Sequence, residues 1–354
     1  MLTQLPIKNN FKNIKIFEKL IKAHKALANL KGISKIIPNE SIIINSLALQ
    51  EAKDSSEIEN IITTHDELYL SWVNKNNTSA KAKEVQNYKE ALLFGFDIVK
   101  KNDLLLIKDI LKIQEILEWN DAWIRTQMGT VLKNDATGEI IYTPPQTKEE
   151  IVDLLANLEQ YINTDIDEND PLIKMAITHF QFESIHPFYD WNGRTGRIIN
   201  ILYLVLSDLL DLPILYLSWF ITKNKWEYYS LFQEVREDDN WEWWILYMLE
   251  AIEKTSIETI NKINWISELM QDAKKELKAK LPKIYSKDLI EILFSHPYTK
   301  IEFLVESLNI TRKTASKYLK ELENIGFVEV STKWKSKFYI NIKLFELLKK
   351  EYNL

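Results

Sequence analysis

Punctuation is what this sequence lacks. Only 7 glycines and 9 prolines are spread over 354 residues, so the stretches between them are long and their apolar residues recur at helical spacing. A β-sandwich needs turn signals roughly every 8–12 residues and has nowhere to put them here. The fold is therefore expected to be mainly α. Hydrophobic residues at 46 % against 27 % charged fit a folded chain with room for more than one domain. Cysteine is absent, which excludes a disulfide framework and thiolate metal sites and leaves oxygen and imidazole as metal ligands. His24, His65, His179 and His296 have no ligand spacing with a second group.

Residues 11–120 read as successive amphipathic helices. Two strand-like runs follow, Gly129 to Lys133 and Glu139 to Thr143, around the turn signal Asn134-Asp135-Ala136-Thr137-Gly138, and the hairpin stops at Pro144-Pro145. Helical patterning resumes at Lys148. Ile198 to Leu210 reads as a strongly apolar helix, NWEWWILYMLEAIEKT as another, and Ser256 to Lys280 as a connector that Leu281-Pro282 ends. The resulting division is a helical region 1–105, a core 106–255, the connector 256–281 and a separate unit 282–354. The greasiest stretch, IINILYLVLSDLLDLPILYL, is broken by Asn200, Asp208, Asp211 and Pro213, whereas a membrane span needs about 20 mostly apolar residues. It is expected to be a buried helix. With no leader-like start either, the expectation is a cytoplasmic protein with no membrane partner. Charge is uneven: from Pro282 onward 13 Lys/Arg stand against 9 Asp/Glu, a balance of +4 that leaves −10 on the rest.

Residues 186–197, HPFYDWNGRTGR, concentrate chemistry-bearing side chains. Pro187 pushes His186 out of the α region, so a helix should end there and present the imidazole to a loop. Asn192 and Gly193 suit a tight turn, and the apolar series from Ile198 makes the next segment a buried helix. A helix N-terminus offers unpaired N–H groups and a positive dipole end, hence a phosphate site. Arg194 and Arg197, three residues apart, share one face, where two guanidinium forks can reach one polyphosphate. Asp190 suits a hard cation such as Mg2+, and His186 can take a proton from an attacking hydroxyl.

This dozen resembles the signature of Fic domains, HxFx(D/E)(G/A)NGRxxR. The resemblance implies His186 as general base, Phe188 as buried anchor of the loop and Asp190 as Mg2+ ligand, with Asn192, Gly193, Arg194, Thr195, Gly196 and Arg197 as the nucleotide- and phosphate-binding set. It further implies transfer of AMP from ATP to a Ser, Thr or Tyr hydroxyl of a protein, the chain itself included, with release of pyrophosphate. Trp191 stands where the family usually has Gly or Ala. If that position is left-handed, a side chain there costs on the order of 1 kcal/mol; the alternative is an outward-facing ring that is simply tolerated.

Upstream, EAKDSSEIENII at 51–62 reads by itself as a helix N-terminus with serine caps and an acidic first turn. Ser55-x-x-x-Glu59-Asn60 also resembles the family's (S/T)xxxE(G/N) inhibitory motif, whose glutamate pairs with the second signature arginine, here Arg197. The resemblance thus implies autoinhibition in cis: a carboxylate on Arg197 would occupy its fork and repel the γ-phosphate.

The hairpin resembles the family's flap, which takes an extended target segment by strand addition; Ile140, Ile141 and Tyr142 are its candidate contacts. Tyr228, with Tyr229 and nearby tryptophans, is the candidate adenine slot, although Trp241, Trp243 and Trp244 read individually as core. In the C-terminal unit, Ala315, Tyr318, Leu319, Leu322 and Ile325 form one apolar face of a helix capped by Thr311 and closed by Gly326, and Phe327 to Val330 pairs with Lys337 to Ile340 across a tip holding Lys333, Trp334 and Lys335. This resembles a winged helix-turn-helix. Its candidate DNA-binding residues are Arg312, Lys313, Thr314, Ser316, Lys317 and Lys320; packing or protein binding is the equal alternative.

The combined expectation is a mainly α protein with a Fic-type core, a β-hairpin flap and a C-terminal winged helix, acting as an autoinhibited protein adenylyltransferase with ATP and Mg2+. Two other functions stay open: a nucleotide-responsive DNA-binding regulator, and removal of AMP from a modified protein with Glu59 positioning water. Expected partners are a protein bearing a hydroxyl side chain, DNA or protein at the winged helix, and a second copy of the chain as a homodimer.

Overall fold

Polar caps start most of the helices. The computed structural model describes residues 2–9, 11–37, 39–73, 79–120, 123–133, 137–333 and 336–350. In α1 (Ile14–Ile33) the Asn13 side chain accepts from Ile16 N, in α2 (Glu40–Ile58) Asn39 accepts from Ser41 N, and in α4 (Ala80–Asn102) Ser79 accepts from Ala82 N. Between the last two lies α3 (His65–Val73), and α5 (Ile107–Glu118) closes the N-terminal run. The hairpin strands β1 (Leu132–Lys133) and β2 (Ile140–Tyr142) pair antiparallel, Leu132 with Tyr142 and Lys133 with Ile140. They are shorter than the sequence suggests, and the turn signal Asn134-Asp135-Ala136 lies outside the described residues.

The core follows as α6 (Lys148–Asn163), α7 (Pro171–Ile185), α8 (Asn192–Leu206), α9 (Leu217–Lys223), α10 (Lys225–Asp238) and α11 (Trp241–Lys280). Helix α8 begins at Asn192, earlier than the apolar pattern from Ile198 indicates, so all of NGRTGR lies within its first turns. Helix α11 corrects a second expectation. The segments read as two helices meeting at Ser256 are one helix of 40 residues, about 60 Å long at 1.5 Å per residue. Thr255 and Ser256 are buried within it, and α1 lies along it.

The C-terminal unit comprises α12 (Lys287–Ser295), β3 (Tyr298–Thr299), α13 (Ile301–Leu308), α14 (Arg312–Asn324), β4 (Glu329–Lys333), β5 (Ser336–Ile340) and α15 (Ile342–Lys349), its sheet in the order β3-β5-β4. Helices α12, α13 and α14 with a three-stranded antiparallel sheet are compatible with the expected winged helix, and α15 follows them. The first hairpin strand begins at Glu329, later than expected, because the Phe327 N–H is still engaged in the turn closing α14, donating to Leu322 O at 2.9 Å, and the tip residues Trp334 and Lys335 lie outside the described residues. Ala315, Leu319 and Leu322 are buried as expected. This unit rests on the N-terminal helices. Asn39 donates to Glu291 Oε2 at 3.0 Å, Tyr298 Oη donates to Asp66, and α12 packs on α2. Among the described residues, no helix is long and apolar enough to cross a membrane.

Candidate active site

The site forms where α7 gives way to α8. Helix α7 ends at Ile185 because His186 turns left-handed (φ 48°), its N–H still donating to Phe182 O at 3.0 Å. The loop then folds over Phe188, which is 1 % exposed. Asn192 closes it: its Oδ1 accepts from Phe188 N and its Nδ2 donates to Phe188 O, both at 2.9 Å. The Asn192 amide is thus engaged in shaping the loop, and what it can offer a phosphate is its backbone N–H in the first turn of α8.

Two glycines let other groups come close to α8. A methyl group on Gly196 would collide with Glu183 Oε1, so the residue allows α7 to lie against α8. One on Gly193 would collide with Glu59 Oε1 and stand 3.1 Å from Arg197 Nη1. Gly193 therefore makes room for a carboxylate that arrives from the other end of the sequence.

That carboxylate is carried by α2, and its setting corrects the local reading of EAKDSSEIENII. These residues form the end of a helix that starts at Asn39: Ser55 and Ser56 are fully buried in its last turns, Glu59 is the C-cap and Asn60 is left-handed at φ 63°. Helix α2 is held by Glu51, also fully buried, which accepts from Tyr88 Oη at 3.0 Å and Ser218 N at 3.2 Å, and whose carboxyl burial pushes up to about 7. From this anchored end, Ser55 and Glu59 take the fork of Arg197. Its Nε donates to Ser55 Oγ at 2.8 Å, and its Nη2 donates to Ser55 O at 3.0 Å and Glu59 Oε1 at 2.7 Å. The guanidinium also satisfies one of the carbonyls a helix C-terminus leaves open. Burial acts to raise the Glu59 carboxyl, but the Arg197 charge and hydrogen bond, with Arg194 behind them, hold it below the usual range.

Arg194 is held differently. Its Nη1 donates to Glu84 Oε2 of α4 at 3.1 Å and its Cζ lies 3.2 Å from the Trp191 ring centroid. Trp191 occupies the left-handed region at φ 67°, its N–H donating to Asp190 Oδ1 at 2.7 Å. The cation–π contact of about 1–2 kcal/mol offsets a left-handed cost of roughly the same size. Neither an outward ring nor uncompensated strain describes this residue.

Burial and the nearby Arg125 charge push the His186 imidazole down to about 4, so it is neutral at pH 7 and able to accept a proton. Arg125, which no sequence pattern singles out, organises this end of the site. It is 1 % exposed, donates from Nε to His186 O at 2.8 Å and from Nη2 to Pro145 O, and its backbone N–H donates to Pro187 O at 2.9 Å. One side chain thereby ties the His186 loop to the base of the hairpin. Tyr142 donates to Ser184 O at 3.0 Å beneath the Arg236 guanidinium, while Gln233 Nε2 donates to Ile141 O. Ile140 and Ile141 are 55 % and 41 % exposed.

Asp190 is exposed in the loop, with Arg194 Nη2 3.9 Å from its Oδ1. A single carboxylate beside a helix N-terminus is a donor set that fits Mg2+, which commonly takes one or two carboxylates together with substrate phosphates and water. Thr195 is fully buried. Tyr228 is not at the surface: it is 2 % exposed, packed among Phe232, Trp244 and Tyr247, with its Oη 2.7 Å from His179 Nε2. It belongs to the core, and the adenine-slot expectation for it is overturned. Its network backs the site, since burial drives His179 down to about 3 and the neighbouring Glu183 carboxyl up to about 7.

An imidazole, a carboxylate and two arginines gathered where α7 gives way to α8, with a hairpin beside them, define the polar centre of a helical domain. The chain belongs to the Fic/DOC family. Its N-terminal family model matches residues 17–97, the Fic/DOC model 104–204, and the C-terminal domain of SoFic-like protein adenylyltransferases 269–344. Solved structures agree on the fold. A Fic family protein from Desulfovibrio desulfuricans superposes with a TM-score of 0.59 at 15 % identity over 94 % of this chain and 97 % of that one. A Fic domain containing signaling protein from Bacteroides thetaiotaomicron gives 0.55 at 18 % over 72 % and 97 %. Fic-1 from C. elegans gives 0.54 at 19 % over 70 % and 73 %.

Proposed function

We propose that this chain is a protein adenylyltransferase kept closed by its own α2. Neutral His186 takes the proton of a target hydroxyl, whose oxygen attacks the α-phosphorus of ATP; the phosphoanhydride bond breaks and pyrophosphate leaves. The first turns of α8 and its arginines hold the phosphates. Mg2+, held by Asp190 and phosphate oxygens, would neutralise charge on the leaving group. The target backbone adds as a strand beside Ile140, Ile141 and Tyr142.

The observation that carries the reading is the Arg197 fork, filled by Ser55 and Glu59 across more than a hundred residues of sequence. A nucleotide cannot take that fork while the carboxylate holds it. Comparison of α-labelled and γ-labelled ATP with wild type, Glu59→Gly and His186→Ala tests the chemistry. Label on protein from the α position, strongest in Glu59→Gly and lost in His186→Ala, supports it; label from the γ position defeats it. The opposing activity, hydrolytic removal of AMP with Glu59 orienting the water that displaces the target hydroxyl, would show as release of labelled AMP from a pre-modified target by wild type but not by Glu59→Gly.

The C-terminal unit supports a recognition role. Lys313, Lys317 and Lys320 are exposed on α14, whereas Arg312 is tied to Glu302 of α13. If these lysines meet phosphates, DNA binding should weaken steeply with salt.

A further inference from the structure

The two signature arginines differ in which edge of the guanidinium is taken. In Arg197 the edge formed by Nε and Nη2 is filled by Ser55 and Glu59. Arg194 is as deeply buried, at 4 % exposed, yet its contacts leave that same edge without a close hydrogen-bond partner. Glu84 takes only Nη1 at 3.1 Å. Nε has no hydrogen-bond partner among the described residues, and Nη2 comes no nearer to the Asp190 carboxylate than 3.9 Å. A buried donor without an acceptor is costly unless something fills it.

Two contacts fix this arrangement. The Trp191 ring under Cζ at 3.2 Å sets the plane of the guanidinium, and Glu84 from α4 sets its rotation within that plane. The edge left over is the side-on fork, whose paired N–H groups match two oxygens of a phosphate, and it lies on the side of Asp190. We propose that Glu84 and Trp191 are positioning residues that preset Arg194 for a nucleotide phosphate, an inference that rests on the nucleotide-transfer reading above. Glu84 orients the arginine and does not compete with the ligand. The phosphate cradle then has one arginine shut by α2 and one held ready, and ATP engages Arg194 even before Arg197 is released.

The test uses the full chain carrying Glu59→Gly, with ATP binding followed by calorimetry and transfer by α-label kinetics. Glu84→Ala should weaken ATP binding and raise KM by about tenfold, with kcat changed much less. Glu84→Gln keeps an oxygen that accepts from Nη1 and should restore most of the loss. Trp191→Gly should raise KM in the same way, and Trp191→Phe, which keeps a ring face, should retain most of the affinity. Unchanged or tighter ATP binding in Glu84→Ala overturns the inference, since Glu84 would then be idle or a competitor. A fall in kcat at constant KM, or failure of Glu84→Gln to rescue, overturns it too by assigning Glu84 a merely structural part. If the Glu59→Gly parent binds ATP and transfers label while these effects are missing, the inference alone fails; if the parent does neither, the function proposed above fails with it.

Discussion

Glu59→Gly should exchange stability for nucleotide affinity, and the structure sets the size of both effects. Breaking a fully buried ion pair by removing one partner costs about 3–5 kcal/mol. Here Arg197 is 1 % exposed but the Glu59 side chain is 34 % exposed, and Arg197 keeps both bonds to Ser55, so about 2 kcal/mol is the reasonable loss. At roughly 2 °C per kcal/mol for a chain of this size, the melting temperature should fall by about 4 °C. The same interaction must be surrendered before a phosphate can reach Arg197. Its removal should therefore tighten ATP binding by about 30-fold, since each 1.4 kcal/mol is a factor of ten. Thermal melts with and without ATP, with calorimetric titration, measure both. ATP at about a hundred times its dissociation constant should return roughly 2.7 kcal/mol to the variant and much less to wild type at the same concentration. A variant that melts with wild type and binds ATP no better would refute the reasoning, because Glu59 would then neither hold Arg197 nor exclude the nucleotide.

Because His186 titrates near 4 in place of its ordinary 6.5, the acidic limb of the kcat/KM profile of Glu59→Gly should fall well below pH 6; a limb centred at 6.5 would show a solvated imidazole. Buried His179, His296 and His65 are also pushed down, to about 3, 3 and 4. Their neutral forms belong to the folded state, so the stability these three histidines carry should be complete above pH 6.5 and be lost as pH falls from there toward 4, while the raised Glu51 and Glu183 carboxyls act in the opposite sense up to about pH 7; melts of His→Gln variants against wild type across that range would detect it. Tyr228→Phe removes a buried hydroxyl and leaves His179 unpartnered on that side, at a cost of about 1–2 kcal/mol in denaturant titration, while KM for ATP should not move. Arg125→Ala should lower transfer by Glu59→Gly and raise KM for the protein target, since it unties the His186 loop from the hairpin; normal kinetics on target and ATP would assign Arg125 to stability alone.

The signature was legible because its physics is local. The Pro187 constraint, the Asn192-Gly193 pair and the three-residue arginine spacing act within a few residues, and the loop they imply is present with only the helix start displaced. The segment around Ser55 and Glu59 was legible as a motif but not as structure. Serines and glutamates favour helix starts, yet Ser55 and Ser56 lie buried in a last turn because packing on neighbouring helices decides where α2 runs. The division of α11 failed for the same reason: Thr255-Ser256 looks like a break in isolation and is buried inside one helix. Tyr228 shows the ambiguity of aromatics, which fill cores and line pockets with equal ease. Arg125 and Glu84 carried no sequence signal, since their partners are 61 and 110 residues away.

A double-mutant cycle on Glu59 and Arg197, read as α-label transferred to protein at ATP well below the wild-type dissociation constant, tests the clamp most directly. Glu59→Gly should raise transfer strongly in the native background and add nothing once Arg197 is alanine, because the carboxylate acts only through that guanidinium. An equal gain from Glu59→Gly in both backgrounds would contradict it.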